Sequence, residues 1–400
     1  MDNNIVIIPL NMYQTLAIAV IALFVGKYVR KAIPILETFC IPIPVVGGVI
    51  FAILSCILYS YKIAEINFDS SLRELTMVVF FTSVGFQANI QAFKKGGKDL
   101  IKFVFLVVLL ILAQNFLALG VAKLLGLNPL FGLAAGSIPM LGGHGTAGAF
   151  GPELEKIGLQ GGSTICIAAA TFGLVAGSLI GGPIGRFLIN KYDLLKTAVP
   201  VEKSYYTGEE SYENKILTMY EDAAFQLIIA MGLGTLFSFL FQKMGLTFPV
   251  YIGSMLAAAI LRNISEYSKT FPIHMNEINN IGDISLSLFL GISMVSLHLW
   301  LLASLAVPLI ILLAAQVLLM DCFAFGAFFF LGKNYDAAVM SAGMCGFGLG
   351  ATPNAMANMQ AVCNKYVPSV KAFIVIPLVG SLFVDFLNSF GITMFMQFVK

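Results

Sequence analysis

A chain of 400 residues that is 58% hydrophobic and only 11% charged carries more apolar surface than a water-soluble core can hide, because soluble domains are roughly a quarter charged. The expected solvent is lipid, and the formal net charge of +2 leaves no basic field for a nucleic acid partner. His144, His274 and His298 and the six cysteines form no HExxH, CxxC or other metal spacing, which sets aside a metalloenzyme, a zinc site and a disulfide framework.

A helix needs about 20 apolar residues to cross a hydrocarbon core about 30 Å thick. In chain order the first half offers spans near 12–30, 41–61, 72–92, 101–124 and 162–189. The residues before the first span, MDNNIVIIPLNMYQ, lack the basic region of a cleaved signal, so that span is expected to stay as an anchor. A polar connector with no hydrophobic face runs over 191–222, and the second half offers spans near 223–243, 246–262, 281–302, 304–331 and 370–399. Two further apolar stretches, about 129–156 and 335–362, are crowded with glycine, proline and small polar residues. A plain lipid-facing helix is a poor fit to them, and re-entrant hairpins are expected.

The halves resemble each other at a steady offset of about 205 residues. Pro44 and Gly48 match Pro249 and Gly253, Gly145-Thr146-Ala147 matches Gly350-Ala351-Thr352, Gln114 matches Gln316, and Gly177-Ser178 matches Gly380-Ser381. Five complete spans per half force the second half to enter from the opposite side. The expected fold is therefore an all-α integral membrane protein with ten transmembrane helices plus two re-entrant hairpins, in two inverted-topology repeats. These repeats are 1–190 and 223–400, joined by a central cytoplasmic loop at 191–222. With the amino terminus outside, all of the 23 basic residues except Lys62, Arg73, Lys123, Lys156, Lys243 and Lys400 fall on the cytoplasmic side.

The chemistry is expected at the two hairpin tips. The first reads SIPMLGGHGTAGAFGPE, Ser137 to Glu153, and the second SAGMCGFGLGATPNAMANM, Ser341 to Met359. Unwound backbone at membrane depth persists only where it meets protein, water or a ligand. A half-helix starting after each glycine run aims its free N–H groups and positive dipole end at the tip, which suits a carboxylate. Candidate substrate-binding residues are Gly143, His144, Gly145 and Thr146 at the first tip, and Gly350, Ala351, Thr352, Asn354 and Asn358 at the second. The plainer reading takes the glycines as small-xxx-small contacts between ordinary helices. The G-x-G-x-x-A at Gly346 to Ala351 follows no soluble strand and is not read as a nucleotide loop.

An ionised carboxylate at a helix centre costs roughly 2.5–3.5 kcal/mol and calls for a partner. Asp385 sits mid-span in LFVDFLNSFG, with Asn388 and Ser389 on the same helical face. The three offer hard oxygen ligands for sodium, although a hydrogen-bonded Asp holding helices together would look the same. Thr82 and Ser83 are further sodium candidates if the helix unwinds there, as Gly291 and Ser293 would allow in the matching segment. Ordinary bonding of Ser and Thr back to their own helix is the alternative. Asp321 is expected to be structural or gating, and Glu153 to mark an outer mouth.

At GGHGTAGAF, FFTSVGF, LFLGISMVSLHLW and GFGLGATPNAMANM the chain resembles the bacterial glutamate:sodium symporter family, and the resemblance runs from about Met12 to Phe398. It implies L-glutamate taken up with sodium as the coupling ion, five helices plus one re-entrant loop per repeat, and a homodimer in the lipid of the bacterial inner membrane. It also implies a transport domain that moves past a scaffold domain. A carrier of another dicarboxylate or citrate, and an ion channel, are the competing readings. No Ser/His/Asp or paired-Asp constellation points to an enzyme.

Overall fold

The computed structural model describes residues 5–38, 41–89, 97–197, 213–243, 249–269, 271–350 and 352–399. The first half folds into α1 (Met12–Ala32), α2 (Ile43–Ser60), α3 (Ser71–Gln87) and α4 (Gly97–Leu124). A broken segment follows as α5 (Pro129–Ala134), α6 (Ser137–Met140) and α7 (Gly143–Lys156), and then α8 (Gly162–Lys191). The second half has α9 (Glu213–Lys243), α10 (Val250–Ser268), α11 (Met275–Val295) and α12 (Ala306–Phe330). Its broken segment is α13 (Tyr335–Gly348) and α14 (Thr352–Lys365), and it ends in α15 (Val370–Val379), a π-turn over Gly380–Val384, and α16 (Asp385–Val399).

This is a multi-pass helical membrane protein. Among the described residues seven helices are long and apolar enough to cross a membrane on length and composition, namely α1, α2, α4, α8, α9 from Met219, α11 and α12. The other three expected spans fall outside that set for visible reasons. Helix α3 is 17 residues long, α10 carries Arg262, Asn263 and Glu266 in its last turns, and the 370–399 span is interrupted by the π-turn. Pro377 has no N–H to give the carbonyl one turn back, which loosens that helix just before Gly380.

Two expectations need correction. The span read at 281–302 is α11 from Met275 to Val295, followed by a 3-10 stretch at Leu299–Leu305. Hydropathy missed its first turns because polar residues fill them, and these are satisfied laterally: Gln87 Nε2 donates to Asn279 Oδ1 at 3.3 Å and Asn280 Nδ2 to the Tyr220 hydroxyl at 2.7 Å. The structure is also not purely helical, since β1 (Val6–Leu10) pairs in parallel with β2 (Ala64–Phe68). Val6, Ile7 and Ile8 in the first and Ile66 and Phe68 in the second favour a strand, and the pairing satisfies backbone groups next to the ends of α1 and α2.

The helices sort into two groups. In one, α1 packs on α2, α9 on α10, and α3 and α11 on each other, with α3 also against α10 and α11 against α2. In the other, α8 holds α7, α13 and α14, flanked by α4, α12 and the α15–α16 pair. The first group is joined by backbone contact: a Cβ on Gly47 of α2 would stand 1.7 Å from the Ala22 carbonyl oxygen of α1. A Cβ on Gly253 of α10 would stand 2.2 Å from the Gly234 carbonyl oxygen of α9. Helices meet this closely only through small residues.

Candidate functional site

A cavity of about 260 Å³ lies where the two helical groups face each other. The second group contributes the first tip, Gly142 to Thr146, Phe347 and Thr352 of the second broken segment, and Gly380, Val384 and Asp385 at the π-turn and the start of α16. The first group closes it with Phe80 and Phe81 of α3, Leu286 and Leu290 of α11, and Pro42. Six candidate residues from three separate stretches thus line one space, Gly143, His144, Gly145, Thr146, Thr352 and Asp385.

Each polar group there is set by local structure. Gly143 opens α7 with φ +59°, a backbone that glycine adopts without strain and that turns the chain from α6 into the half-helix. Thr146 is buried, and its Oγ1 has no hydrogen-bond partner among the described residues. His144 Nε2 lies 2.9 Å from Thr171 Oγ1, and the Thr171 hydroxyl donates to the Ile167 carbonyl at 3.0 Å. With that proton committed, His144 Nε2 carries the hydrogen and donates, so that in a neutral ring Nδ1 is the acceptor. Thr352 begins α14 and sits against the π-turn, where a Cβ on Gly380 would be 2.4 Å from its Oγ1. Asp385 starts α16 immediately after that turn.

The remaining candidates sit elsewhere. Ala351 lies outside the described residues. Gly350 packs inward, where a Cβ would meet Leu174 and Asn354. Both ends of the Asn354 amide are engaged, Nδ2 donating to the Leu174 carbonyl at 2.9 Å and Oδ1 accepting from the Ser178 hydroxyl. Asn358 Nδ2 donates to the carbonyls of Gly177 at 2.8 Å and Ala342 at 3.3 Å. Both asparagines therefore fasten α14 to α8 and do not line the cavity. Asn388 Nδ2 donates to the Ser137 carbonyl at 3.0 Å, leaving Oδ1 buried without a partner among the described residues, and Ser389 Oγ lies 3.3 Å from the Tyr251 hydroxyl.

The expected unwinding at Thr82 and Ser83 is absent: α3 is continuous there, with Thr82 Oγ1 donating to the Val78 carbonyl at 2.6 Å and Ser83 Oγ to Phe80 at 2.7 Å. Glu153 pairs with Lys156 at 2.7 Å, and Asp321 lies within α12, outside the cavity lining. The apolar walls of the cavity and the Thr171 partner of His144 carried no signal in the sequence, because a phenylalanine facing a ligand reads like one facing lipid.

The Asn358 contacts give a direct prediction. Asn358→Ala removes two buried donations and is expected to lower stability by about 1–3 kcal/mol. The half-maximal sodium concentration for uptake should stay within about two-fold, since no ligand contact is lost. Thermal unfolding in detergent and a sodium titration read the two effects separately.

A profile of the sodium/glutamate symporter family matches residues 8–368. The chain belongs to that family. It is 41% identical over 386 residues to a sodium/glutamate symporter of Haemophilus influenzae, covering 94% of this chain and 95% of that protein. It is 37% identical over 394 residues to a sodium/glutamate symporter of Escherichia coli K12, covering 97% and 98% respectively. Membership makes it a transporter and not an enzyme.

Proposed function

We propose that the chain carries L-glutamate into a bacterial cell together with sodium, by alternating access in which the second helical group moves past the first as an elevator. The observation that carries this reading is the cavity at the seam, where the starts of α7 and α14, the unpartnered Thr146 hydroxyl and the Asp385 carboxylate share one space. The half-helix N-termini and Thr146 suit the carboxylates of glutamate, and His144 Nδ1 can accept from its ammonium. Asp385, with the orphan Asn388 oxygen close by in sequence, suits sodium. The names of the family and of both relatives support the substrate and the coupling ion.

The topology read here has ten crossings and two re-entrant hairpins in inverted repeats, with the amino terminus outside and the protein a homodimer in the inner membrane. Reciprocal bonds between matched residues support the repeat. Gln114 Nε2 donates to the Gly348 carbonyl at 2.6 Å, and Gln316 Nε2 donates to the carbonyls of Gln114 at 3.0 Å and Ala135 at 3.1 Å. Each half thereby braces the broken segment of the other. A single negative charge moving inward opposes about 2.3 kcal/mol per 100 mV, which one sodium cancels and a second turns into a driving force.

The test is uptake of radiolabelled L-glutamate into proteoliposomes, with and without an inward sodium gradient and with excess aspartate, citrate or malate. Sodium-driven accumulation above equilibrium supports the reading. Uptake of citrate or malate in place of glutamate would reassign the substrate, and flux without accumulation would make the protein a channel.

A further inference from the structure

A second space of about 210 Å³ lies at the same seam, further along α7 and α11 than the tip cavity. Leu286 and Leu290 of α11 face the tip cavity, whereas Ile292 and Ser293 line this one, and on α7 the change comes between Thr146 and Gly148. At about 30 Å³ per water it has room for roughly seven waters, or for a small amino acid. Its floor is polar and unsatisfied: Ser293 is 6% exposed, and neither its hydroxyl nor that of Ser163 has a partner among the described residues.

The rim holds fixed charges of both signs. Ser71 N–H donates to Asp69 Oδ1 at 2.8 Å, which keeps that carboxyl below its usual range, and Ser163 N–H donates to Glu155 Oε1 at 2.9 Å. Each carboxylate is thereby held in place at the rim. Arg73 lines the same space within electrostatic reach of Glu155, Glu74 and Glu153, the last already paired with Lys156. A cation beside two oriented carboxylates, above unsatisfied hydroxyls, is complementary to an ammonium and a carboxylate carried on one carbon. A plain dicarboxylate brings no ammonium and meets Asp69 and Glu155 as like charges.

On α11, Phe289 lies between Leu286 of the tip cavity and Ile292 of this one. Phe289 is fully buried and packs on α7 so closely that a Cβ on Gly148 would stand 2.7 Å from its Cζ. We propose that this outer space binds the ammonium and α-carboxylate of an amino acid before it passes Phe289 to the tip cavity, and so selects amino acids over plain dicarboxylates. The inference rests on the glutamate symport reading. Arg73 holds the carboxylate, with Ser293 and Ser163 beneath it, and Glu155 and Asp69 hold the ammonium.

Equilibrium binding of radiolabelled L-glutamate to the full chain in nanodiscs at saturating sodium tests it. Two glutamates per chain are expected, falling to one in Arg73→Gln. In proteoliposomes Arg73→Gln is expected to raise the glutamate KM about ten-fold, one lost charged hydrogen bond, with the maximal rate within two-fold. Inhibition by glutarate, which lacks the amine, should change little, and Arg73→Lys should recover most of the KM. No sodium-stimulated glutamate binding to the unaltered chain would overturn the symport reading and this inference with it. One glutamate per chain, with Arg73→Gln keeping the original KM, would overturn this inference alone.

Discussion

Asp385→Asn is expected to raise the half-maximal sodium concentration for glutamate uptake by about 30- to 5,000-fold, the equivalent of the roughly 2–5 kcal/mol that follows loss of one partner from a desolvated charge pair. The substitution is nearly isosteric, so the cavity keeps its shape and loses only the charge. The carboxylate lines the space between the two helical groups. Because coupling is reciprocal, glutamate affinity measured at fixed low sodium should fall as well, by the coupling factor and no more. A sodium titration of uptake, with glutamate binding at low and saturating sodium, reads both numbers. A half-maximal sodium concentration within two-fold of the unaltered protein would remove Asp385 from the sodium site.

Much of this arrangement is legible in the sequence because lipid imposes simple demands. Long apolar runs must be helices, and α4, α8 and α12 begin and end within a few residues of their hydropathy limits. Glycine runs at membrane depth mark broken segments, and the breaks at Leu141–Gly142 and after Gly348 fall inside the two expected hairpins. What was not legible depends on rotation and lateral contact. Asn354 and Asn358 have the polarity of ligands, but α14 is turned so that both reach α8 carbonyls, and no local pattern encodes that turn. The polar start of α11 reads as loop because its satisfaction comes from Gln87 and Tyr220, both remote in sequence. Ser293 was singled out for a local unwinding, yet α11 stays helical through it and its unpaired hydroxyl serves a different space.

Gly47→Val is expected to cause the largest loss of folded protein, because no rotamer relieves a Cβ 1.7 Å from a backbone oxygen. Helices α1 and α2 would have to separate along their crossing, and overpacking of this kind costs about 1–3 kcal/mol or more when backbone must move. Separation would carry further, since α2 also packs on α11, whose Leu286 and Leu290 wall the tip cavity. If the halves are true repeats, Gly253→Val at the α9–α10 crossing should do comparable damage, its Cβ standing 2.2 Å from the Gly234 carbonyl oxygen. Gly120 on α4 supplies the contrast, as a Cβ there meets nothing within 4 Å. Gly120→Ala should leave stability unchanged or slightly raised, because alanine favours the helix by about 1 kcal/mol over glycine. Size-exclusion profiles of the three variants after a heating series would separate the outcomes. Wild-type survival of Gly47→Val would mean that the α1–α2 contact is looser than its glycine spacing requires, and equal loss at 47 and 253 with none at 120 would tie the stability of the first helical group to its two glycine seams.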